Sequence, residues 1–402
     1  MTTERPWHWP PSGRTPVRRE YLVFGRPDIR AGEIREVEET LRSGWLGTGP
    51  RVARFEEDFR RYIGAGFAMA LNSCTAGLHL SMIAVGVRPG DEVITCPMTF
   101  ASTANAVLHV GATPVFADCD PATLCIDPQA VAARITPRTR AILPIHFAGR
   151  SADMTRLEAL ARAHGLKIVE DAAHAIETVH QGRKIGTIGD CTAFSFYVTK
   201  NVITGEGGMV TTNDPALADW IKVAGLHGLS RDAWKRYSDE GYRHYEVIFP
   251  GFKYNMMDLQ AAIGIHQLAR VEAGLARREE IWRRYCEACA DLPVRIPPEP
   301  PPGDRHARHL FIVLLELEQL RATRDEILQA LHFEGIGTGV HYRALHMHPY
   351  YRERFGYRQE DFPAAARVGE RTLSLPFSTQ LSDRDVNDVV TALREILLAA
   401  RT

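Results

Sequence analysis

The chain has 402 residues, of which 45% are apolar and 24% charged, so it can bury a large core and is neither disordered nor fibrous. Its 48 basic and 49 acidic residues leave a net charge of −1, which argues against a nucleic-acid partner. No apolar stretch approaches the roughly 20 residues of a membrane-spanning helix, and the N-terminus lacks a secretory signal. We therefore expect a cytoplasmic protein without a membrane partner.

Residues 1–24 are rich in Pro, Trp and Arg and show no periodicity, which predicts an arm rather than a folded unit. We expect Trp7 and Trp9 in this arm to pack on a second copy of the chain. The pattern then becomes helical from Ala31 and stops at Gly44, with an apolar face formed by Ile34, Val37 and Leu41.

Short apolar runs and helical stretches alternate in the next part of the chain. Strands are predicted at Ala68–Leu71, Glu92–Thr95, Pro114–Ala117, Ala141–Pro144 and Lys167–Val169. Helices are predicted between them at Ala76–Val85, Ala101–His109 and Met154–His164. This alternation predicts an α/β fold with a mostly parallel sheet covered on both faces, whose ligands bind at the carboxyl ends of the strands.

The pattern changes after two predicted strands, Ala193–Tyr197 and Gly208–Thr212, which a glycine-rich turn joins. A long helix is predicted from Asp258, its candidate N-cap, to about Tyr285, and the proline-rich Pro297–Gly303 predicts an extended linker. The remaining predicted elements form a small α+β domain and are His309–Leu315, Arg324–Phe333 and Asp383–Ala399. The predicted boundaries are an arm at 1–24, a large domain at 25–257 and a small domain at 258–402.

Three motifs carry chemistry. The strand in Leu166-Lys-Ile-Val-Glu-Asp-Ala-Ala-His-Ala175 delivers Asp171 to its carboxyl end, where the side chain either enters a ligand crevice or caps a following helix. Lys200 follows a strand end between Phe196 and glycines, and a lysine shielded in this way can attack an aldehyde. The run Ala70-Leu-Asn-Ser-Cys-Thr-Ala-Gly-Leu-His79 opens a helix whose free N–H groups suit a phosphate. An acid, a shielded lysine and a phosphate site together point to pyridoxal phosphate.

Several further motifs, in this order along the chain, resemble those of the DegT/StrS-type nucleotide-sugar aminotransferases. The segments that carry the resemblance are Ser43-Gly-Trp-Leu-Gly-Thr-Gly-Pro50, Pro97-Met-Thr-Phe-Ala-Ser-Thr-Ala-Asn105, Gly111-Ala-Thr-Pro-Val-Phe-Ala-Asp118, Glu170-Asp-Ala-Ala-His-Ala175, Gly205-Glu-Gly-Gly208 and Tyr254-Asn-Met-Met-Asp-Leu-Gln-Ala-Ala262. The resemblance implies fold type I, with a seven-stranded type of sheet. The segments Gly335–His346 and Tyr350–Phe355 look most like those of the enzymes that make UDP-4-amino-4-deoxy-L-arabinose.

The resemblance also implies roles for individual residues. Lys200 corresponds to the lysine that carries the cofactor, Asp171 to the partner of the pyridine nitrogen, and His174 to a histidine near the cofactor hydroxyl. Phe100 corresponds to an aromatic ring stacked on the cofactor. Contacts to the phosphate are implied for Thr75, Ala76 and Ser195.

Asn255 corresponds to an asparagine that reaches the phosphate of the neighbouring subunit, which implies a homodimer with shared active sites. Substrate contacts are implied for Thr48, His341 and Tyr342. The three histidines His341, His346 and His348 lack a Cys, Asp or Glu at ligand spacing, so we expect no metal site there. The seven cysteines, which include Cys286-x-x-Cys289, are expected to be reduced and to serve packing.

The resemblance implies transfer of an amino group from L-glutamate to a nucleotide-linked keto-sugar, with a 4-keto sugar favoured. Pyridoxamine 5′-phosphate would be the form of the cofactor between the two half-reactions. Two alternatives are an aminotransferase for a keto-cyclitol and a sugar dehydratase of the same family, although the dehydratases carry histidine at the position of Lys200. The sequence does not decide between UDP, TDP and GDP as the nucleotide, or between C4 and C3 as the position of the keto group. It also leaves open whether the sugar is a pentose or a 6-deoxyhexose, and which pathway uses the product.

Overall fold

The structure, a computed structural model, describes residues 7–230 and 245–402. Residues 1–6 of the predicted arm and 231–244 of the predicted large domain lie outside the described residues. The central sheet has seven strands, which are β1 (Phe67–Leu71), β2 (Glu92–Thr95), β3 (Thr113–Phe116), β4 (Thr139–Leu143), β5 (Lys167–Asp171), β8 (Cys191–Ser195) and β9 (Gly208–Thr212). A separate hairpin pairs β6 (Val179–His180) with β7 (Arg183–Lys184).

The strand order of the central sheet is β1-β9-β8-β5-β4-β2-β3. Six of these strands run in one direction, and β9 runs in the opposite direction. The helices that accompany this sheet are α1 (Ala31–Ser43), α2 (Pro50–Ile63), α3 (Cys74–Ala84), α4 (Ala101–His109), α5 (Pro128–Ala132), α6 (Met154–His164), α7 (Pro215–Ala224) and α8 (Asp258–Ala269). Because β5 and β8 are parallel neighbours, Asp171 and the loop after Ser195 meet at one edge of the sheet.

A second hydrophobic core surrounds a three-stranded antiparallel sheet in the C-terminal part of the chain. Its strands are β10 (Val294–Arg295), β11 (Phe311–Leu315) and β12 (Thr372–Leu375). The helices of this part are α9 (Val271–Cys289), α10 (Arg324–Phe333), α11 (Pro349–Phe355), α12 (Pro363–Arg371) and α13 (Asp383–Ala400). No helix among the described residues is long and apolar enough to cross a membrane. The domain boundaries at residues 24 and 257 stay predictions.

The predicted strands and most of the predicted helices lie within a few residues of their observed bounds. The pattern did not single out the helices α2, α5, α7, α11 and α12 or the short strands β6, β7, β10 and β12. The predicted helix from Asp258 to Tyr285 breaks at Arg270 into α8 and α9. Asp258 is not an N-cap of its own helix. Its carboxylate accepts the N–H groups of Arg51 (3.1 Å) and Val52 (2.9 Å), because α2 begins after Gly49, which has no side chain to cap it.

The apolar face predicted for α1 points outward. Ile34 and Leu41 are 57% and 55% exposed, whereas Glu33 and Thr40 are buried. The Glu33 carboxylate accepts a hydrogen bond of 2.8 Å from Nε2 of Gln267 and pairs with the Arg270 guanidinium. Polar contacts with α8 therefore fix the orientation of α1 and leave its apolar face open.

The arm lies on its own chain, so Trp7 and Trp9 have packing partners without the second copy on which we expected them to pack. Both rings pack, partly buried, against the hydrophobic core of the C-terminal part. The reason is the fully buried Glu334, whose carboxylate accepts hydrogen bonds from Nε1 of Trp9 (2.9 Å), Nε of Arg14 (2.5 Å) and N–H of Val17 (2.8 Å). A buried carboxylate needs such donors, and the arm supplies them.

We expect Glu334→Gln to lower the free energy of unfolding by about 1–3 kcal/mol and to release the arm, because Arg14 loses its buried anionic partner. Denaturant unfolding and the rate of tryptic cleavage in the arm measure the two effects. Glu395→Gln is the matched control, because this carboxylate also pairs with Arg14 but is 46% exposed. Equal effects of the two substitutions would contradict the anchoring role of Glu334.

Candidate active site

Asp171 ends β5 as a buried carboxylate at the carboxyl edge of the sheet. Its Oδ2 accepts a hydrogen bond of 2.7 Å from the hydroxyl of Thr103 on α4, and its Oδ1 accepts the N–H of Ala173 at 3.1 Å. Burial raises the pKa of Asp171, although both hydrogen bonds act in the opposite direction. No helix follows β5 directly, so of the two interpretations of Asp171 the ligand crevice fits and the helix cap does not.

Lys200 lies in the glycine-rich loop between β8 and β9, where its N–H donates to the carbonyl of Tyr197 over 2.9 Å. Burial lowers the pKa of Lys200 to about 8, although the negative charge of Asp171 acts on it in the opposite direction. The loop thus brings an amine that is close to its deprotonation point beside the buried carboxylate. Such an amine is suited to attack an aldehyde carbon.

His174 follows Asp171 by three residues and forms the third part of this group. Its Nδ1 accepts the N–H of Ala148 at 3.2 Å, which places the proton of the neutral ring on Nε2. Nε2 lies 3.2 Å from the hydroxyl of Tyr342, and the two rings are stacked with centroids 6.2 Å apart. Burial, reinforced by the charge of Lys200, holds the pKa of His174 well below its usual value, so the ring is neutral at pH 7.

His341 joins the same group from the loop before α11. Its Nδ1 lies 2.8 Å from the hydroxyl of Ser374, and its ring stacks on Phe24 with centroids 5.5 Å apart. Burial lowers the pKa of His341 to about 4, and the positive charge of Lys200 adds to this effect. The structure therefore brings His341 and Tyr342, predicted as substrate contacts, to the Lys200 side of the site.

The predicted phosphate contacts meet at the start of α3. Ser73 caps this helix by accepting the N–H of Ala76 at 3.1 Å, and the N–H groups of Cys74 and Thr75 have no acceptor within the helix. Gly208 at the start of β9 packs against this turn, since a Cβ at that position would lie 2.5 Å from N of Cys74. α3 is buried nearly all round.

Ser195 ends β8 in the sheet beside this turn, where it pairs with Gly208. Its hydroxyl oxygen lies 3.4 Å from N–H of Tyr197. A side-chain hydroxyl and the backbone N–H groups at the start of α3 can both donate to the oxygens of a phosphate.

Thr48 and Asn255 form a second group. Nδ2 of Asn255 donates to the Thr48 hydroxyl over 2.7 Å, and that hydroxyl donates to the carbonyl of Met256 over 2.6 Å. Among the described residues, no hydrogen bond connects Thr48 or Asn255 to Lys200 or Asp171. The fold brings this pair together without joining it to the lysine group.

Phe100 precedes α4, and its ring lies 6.2 Å from the ring of Tyr342. It is 63% exposed, unusually open for a large apolar side chain. An aromatic face at this position can stack on a flat ring above Asp171 and Lys200.

The residues fit pyridoxal phosphate, the cofactor that the sequence predicts. The carboxylate of Asp171 is buried with only neutral hydrogen-bond donors, and a protonated pyridine nitrogen would supply the missing cation. The N–H groups at the start of α3 and the side chain of Ser195 would hold the phosphate, and Lys200 would bind the aldehyde carbon. When bound, this cofactor supplies an electron-withdrawing ring that stabilises negative charge on the carbon next to an amine.

The sequence reasoning missed three side chains that support the site. Thr103, on α4, is the hydroxyl partner of Asp171. The available signal was its spacing of four residues from Thr99, whose hydroxyl it contacts. Asn201 follows Lys200 directly, and His309, whose ring centroid lies 4.4 Å from that of His174, starts the segment that leads into β11. No local pattern marks His309, because more than 100 residues separate it from Lys200 and His174.

Comparison with known proteins gives matches along most of the chain. The model of the DegT/DnrJ/EryC1/StrS aminotransferase family matches residues 27–394. The spore coat polysaccharide biosynthesis protein SpsC of Bacillus subtilis is 52% identical over 384 residues, which are 95% of this chain and 99% of that protein.

Solved structures match in the same way. The PMP-form of the putative sugar aminotransferase Spr1654 from Streptococcus pneumoniae has a TM-score of 0.88 and 33% identity, over 94% of this chain and 99% of that one. Helicobacter pylori PseC, an aminotransferase involved in the biosynthesis of pseudoaminic acid, has a TM-score of 0.87 and 27% identity, over 94% of this chain and 100% of that one.

We expect the rate at which an amine-directed acylating reagent labels Lys200 in the cofactor-free protein to reach half of its maximum near pH 8. Burial has lowered the pKa of Lys200 to about 8, and only the deprotonated amine reacts. Competitive labelling followed by peptide mass spectrometry gives the midpoint. Lys167 is the internal control, since its hydrogen bond to Asp190 raises its pKa and moves its midpoint above that of Lys200. A higher midpoint for Lys200 than for Lys167 would contradict the shielded amine.

Proposed function

Since this chain belongs to the DegT/DnrJ/EryC1/StrS aminotransferase family and is a pyridoxal phosphate-dependent sugar aminotransferase, we propose a specific donor and acceptor for it. In this proposal the enzyme moves the amino group of L-glutamate to a nucleotide-linked keto-sugar, and a 4-keto sugar is the favoured acceptor. The family, the fold type I architecture, the cofactor and the enzyme class predicted from the sequence are confirmed by these matches. The donor, the nucleotide and the position of the keto group are parts of the proposal.

The observation that carries the proposal is the placement of Lys200 beside the buried Asp171 at the carboxyl edge of the sheet. We propose that Asp171 keeps the cofactor ring protonated and that Thr103 orients the carboxylate for this contact. Lys200 Nζ would take up the proton from the α carbon of the amino donor, because its lowered pKa leaves a substantial fraction of the free amine at neutral pH.

The acceptor side of the site supports a bulky, polar substrate. His341 and Tyr342 line the Lys200 side, and the neighbouring Phe100 and Tyr197 expose 63% and 46% of their surface. Arg343 follows Tyr342 directly and is exposed, so its guanidinium can pair with a diphosphate. We propose that sugar hydroxyls contact His341 and Tyr342, that Thr48 contacts the substrate, and that the nucleotide extends outward.

We further propose a homodimer with shared active sites. Exposed apolar side chains concentrate on α1 and the segment after it, which expose Ile34, Leu41, Trp45 and Leu46. The contact partner in this proposal is a second copy of the chain, whose Asn255 would reach the phosphate held at the start of α3. We also propose a cytoplasmic location, because all seven cysteines are unpaired thiols that a reducing compartment preserves.

A single-turnover absorbance experiment tests the proposed reaction. We expect L-glutamate to abolish the visible band of the lysine-bound cofactor, and one class among UDP-, TDP- and GDP-linked 4-keto and 3-keto sugars to restore it after the donor is removed. Lys200→Ala should give no detectable transamination, because it removes both the attachment point and the base. If only a keto-cyclitol restores the band, the acceptor is a keto-cyclitol and not a sugar nucleotide. Transamination by Lys200→Ala would contradict the role assigned to Lys200.

We expect Leu41→Glu to convert the protein to monomers and to abolish transamination, because it buries a charge in the proposed contact and removes the partner's Asn255 from the site. Light scattering after size-exclusion chromatography and the glutamate half-reaction measure the two effects. The control is Leu398→Glu, which substitutes a leucine that is 47% exposed on α13, a helix that packs against α9 and α10, whereas α1 packs against α8. A dimer that survives Leu41→Glu with full activity would contradict the proposed surface.

A further inference from the structure

The side chain of Asn201, directly after Lys200, is fixed by three hydrogen bonds. Its Nδ2 donates to Oε2 of Glu177 over 2.9 Å and to the carbonyl of Ala307 over 3.0 Å, while its Oδ1 lies 3.0 Å from Nδ1 of His309. Glu177 is fully buried and forms an ion pair with the buried Arg278. The amide of Asn201 therefore connects a buried ion pair to the lysine loop.

These contacts permit one orientation of the amide. A rotation of the amide by 180° would place its oxygen against the carboxylate of Glu177 and the carbonyl of Ala307, both of which only accept hydrogen bonds. Oδ1 of Asn201 must then face His309, whose Nδ1 carries the proton that it donates. In the neutral ring, Nε2 of His309 is an acceptor.

The proton therefore sits on different nitrogens in the two neighbouring imidazoles of the site, whose ring planes are tilted by 34°. His174 accepts at Nδ1 and donates from Nε2 to Tyr342, whereas His309 donates from Nδ1 to Asn201. Their ring centroids are 4.4 Å apart. At this distance a proton added to either ring would place a cation against the other ring in a buried space, which costs free energy.

Several charged or titratable groups act on His309 from the elements packed around it. Burial is the largest cause of its lowered pKa, and the charges of Lys200 and Arg278, together with a proton on His341 or His306 when they carry one, act in the same direction. The one anion in hydrogen-bond contact with Asn201 among the described residues is Glu177, and Arg278 pairs with it. The surroundings thus favour a neutral His309, and the amide of Asn201 selects which nitrogen holds its proton.

We propose that Asn201 is a positioning residue for the amino transfer: it fixes His309 in the Nδ1–H form and, through the contact of His309 with His174, holds both rings in place beside Lys200. The role in catalysis rests on the proposed function, whereas the tautomer of His309 does not. Glu177 and Arg278 fix the amide from behind. Asn201 itself acts through His309 and touches no reacting atom.

The first test is the ¹⁵N NMR spectrum of the cofactor-free protein with labelled histidine. We expect His309 and His180, whose Nδ1 faces Asp304 while its Nε2 accepts the N–H of Thr155, to give Nδ1–H tautomer signals. The signal that disappears in His309→Gln is assigned to His309. In Asn201→Leu, which is close in size but has no hydrogen-bonding groups, this signal should shift toward the Nε2–H form or to a mixture. Asn201→Ser provides a second variant with a smaller change, and retention of the wild-type signal in both variants would overturn the proposal.

The second test separates positioning from general stability. We expect Asn201→Leu to lower kcat of the glutamate half-reaction about 10- to 100-fold while KM changes less than about threefold. The double variant Asn201→Leu/His309→Gln should be no slower than the slower single variant, because one residue acts through the other. Losses that multiply in the double variant would overturn the proposal.

Asn213→Leu is the matched control. The amide of Asn213 is also held by hydrogen bonds on both sides, since its Oδ1 accepts the N–H of Gly66 and its Nδ2 donates to the carbonyl of Thr187. Asn213, however, follows the end of β9 that lies away from Lys200. We expect it to leave the His309 signal and kcat unchanged. A protein that transfers no amino group would refute the proposed function, and the tautomer measurement would then decide alone whether Asn201 fixes His309.

Discussion

The site is organised around a carboxylate that is buried without a cationic hydrogen-bond partner. Asp171 receives only a hydroxyl and a backbone N–H, and burial raises its pKa. A charge in this environment costs free energy unless a cation lies near it, and the positive charge of Lys200 acts on this carboxylate. A protonated heterocycle bound beside Asp171 would supply a further cation.

The sheet topology makes this arrangement possible. β5 and β8 run parallel and side by side, so their carboxyl ends present Asp171 and the Lys200 loop on one edge. β9 reverses direction, which lets Gly208 start the strand directly against the first turn of α3. One edge of the sheet therefore holds an acid, an amine and free backbone N–H groups, the three features that a phosphorylated aldehyde requires.

The imidazoles of His174 and His341 carry no charge at neutral pH. Burial is the larger cause of their lowered pKa values, and the positive charge of Lys200 acts in the same direction. Neutral rings can accept or donate one hydrogen bond in a fixed direction, whereas an imidazolium would only donate. The neutral rings thereby present polar groups in fixed orientations to a substrate, and they add no positive charge beside the lysine.

The sequence alone determined the parallel sheet, the bounds of the helices α1, α3, α4, α6, α10 and α13, and the three motifs that place Asp171, Lys200 and the start of α3. Strand periodicity, strand-end acids and helix-start residues are local signals. The direction of the apolar face of α1, the docking of Trp9 on Glu334 and the contact of His309 with His174 came only from the tertiary structure. Each of these depends on partners more than 100 residues away in the chain, and a local pattern carries no information about such partners.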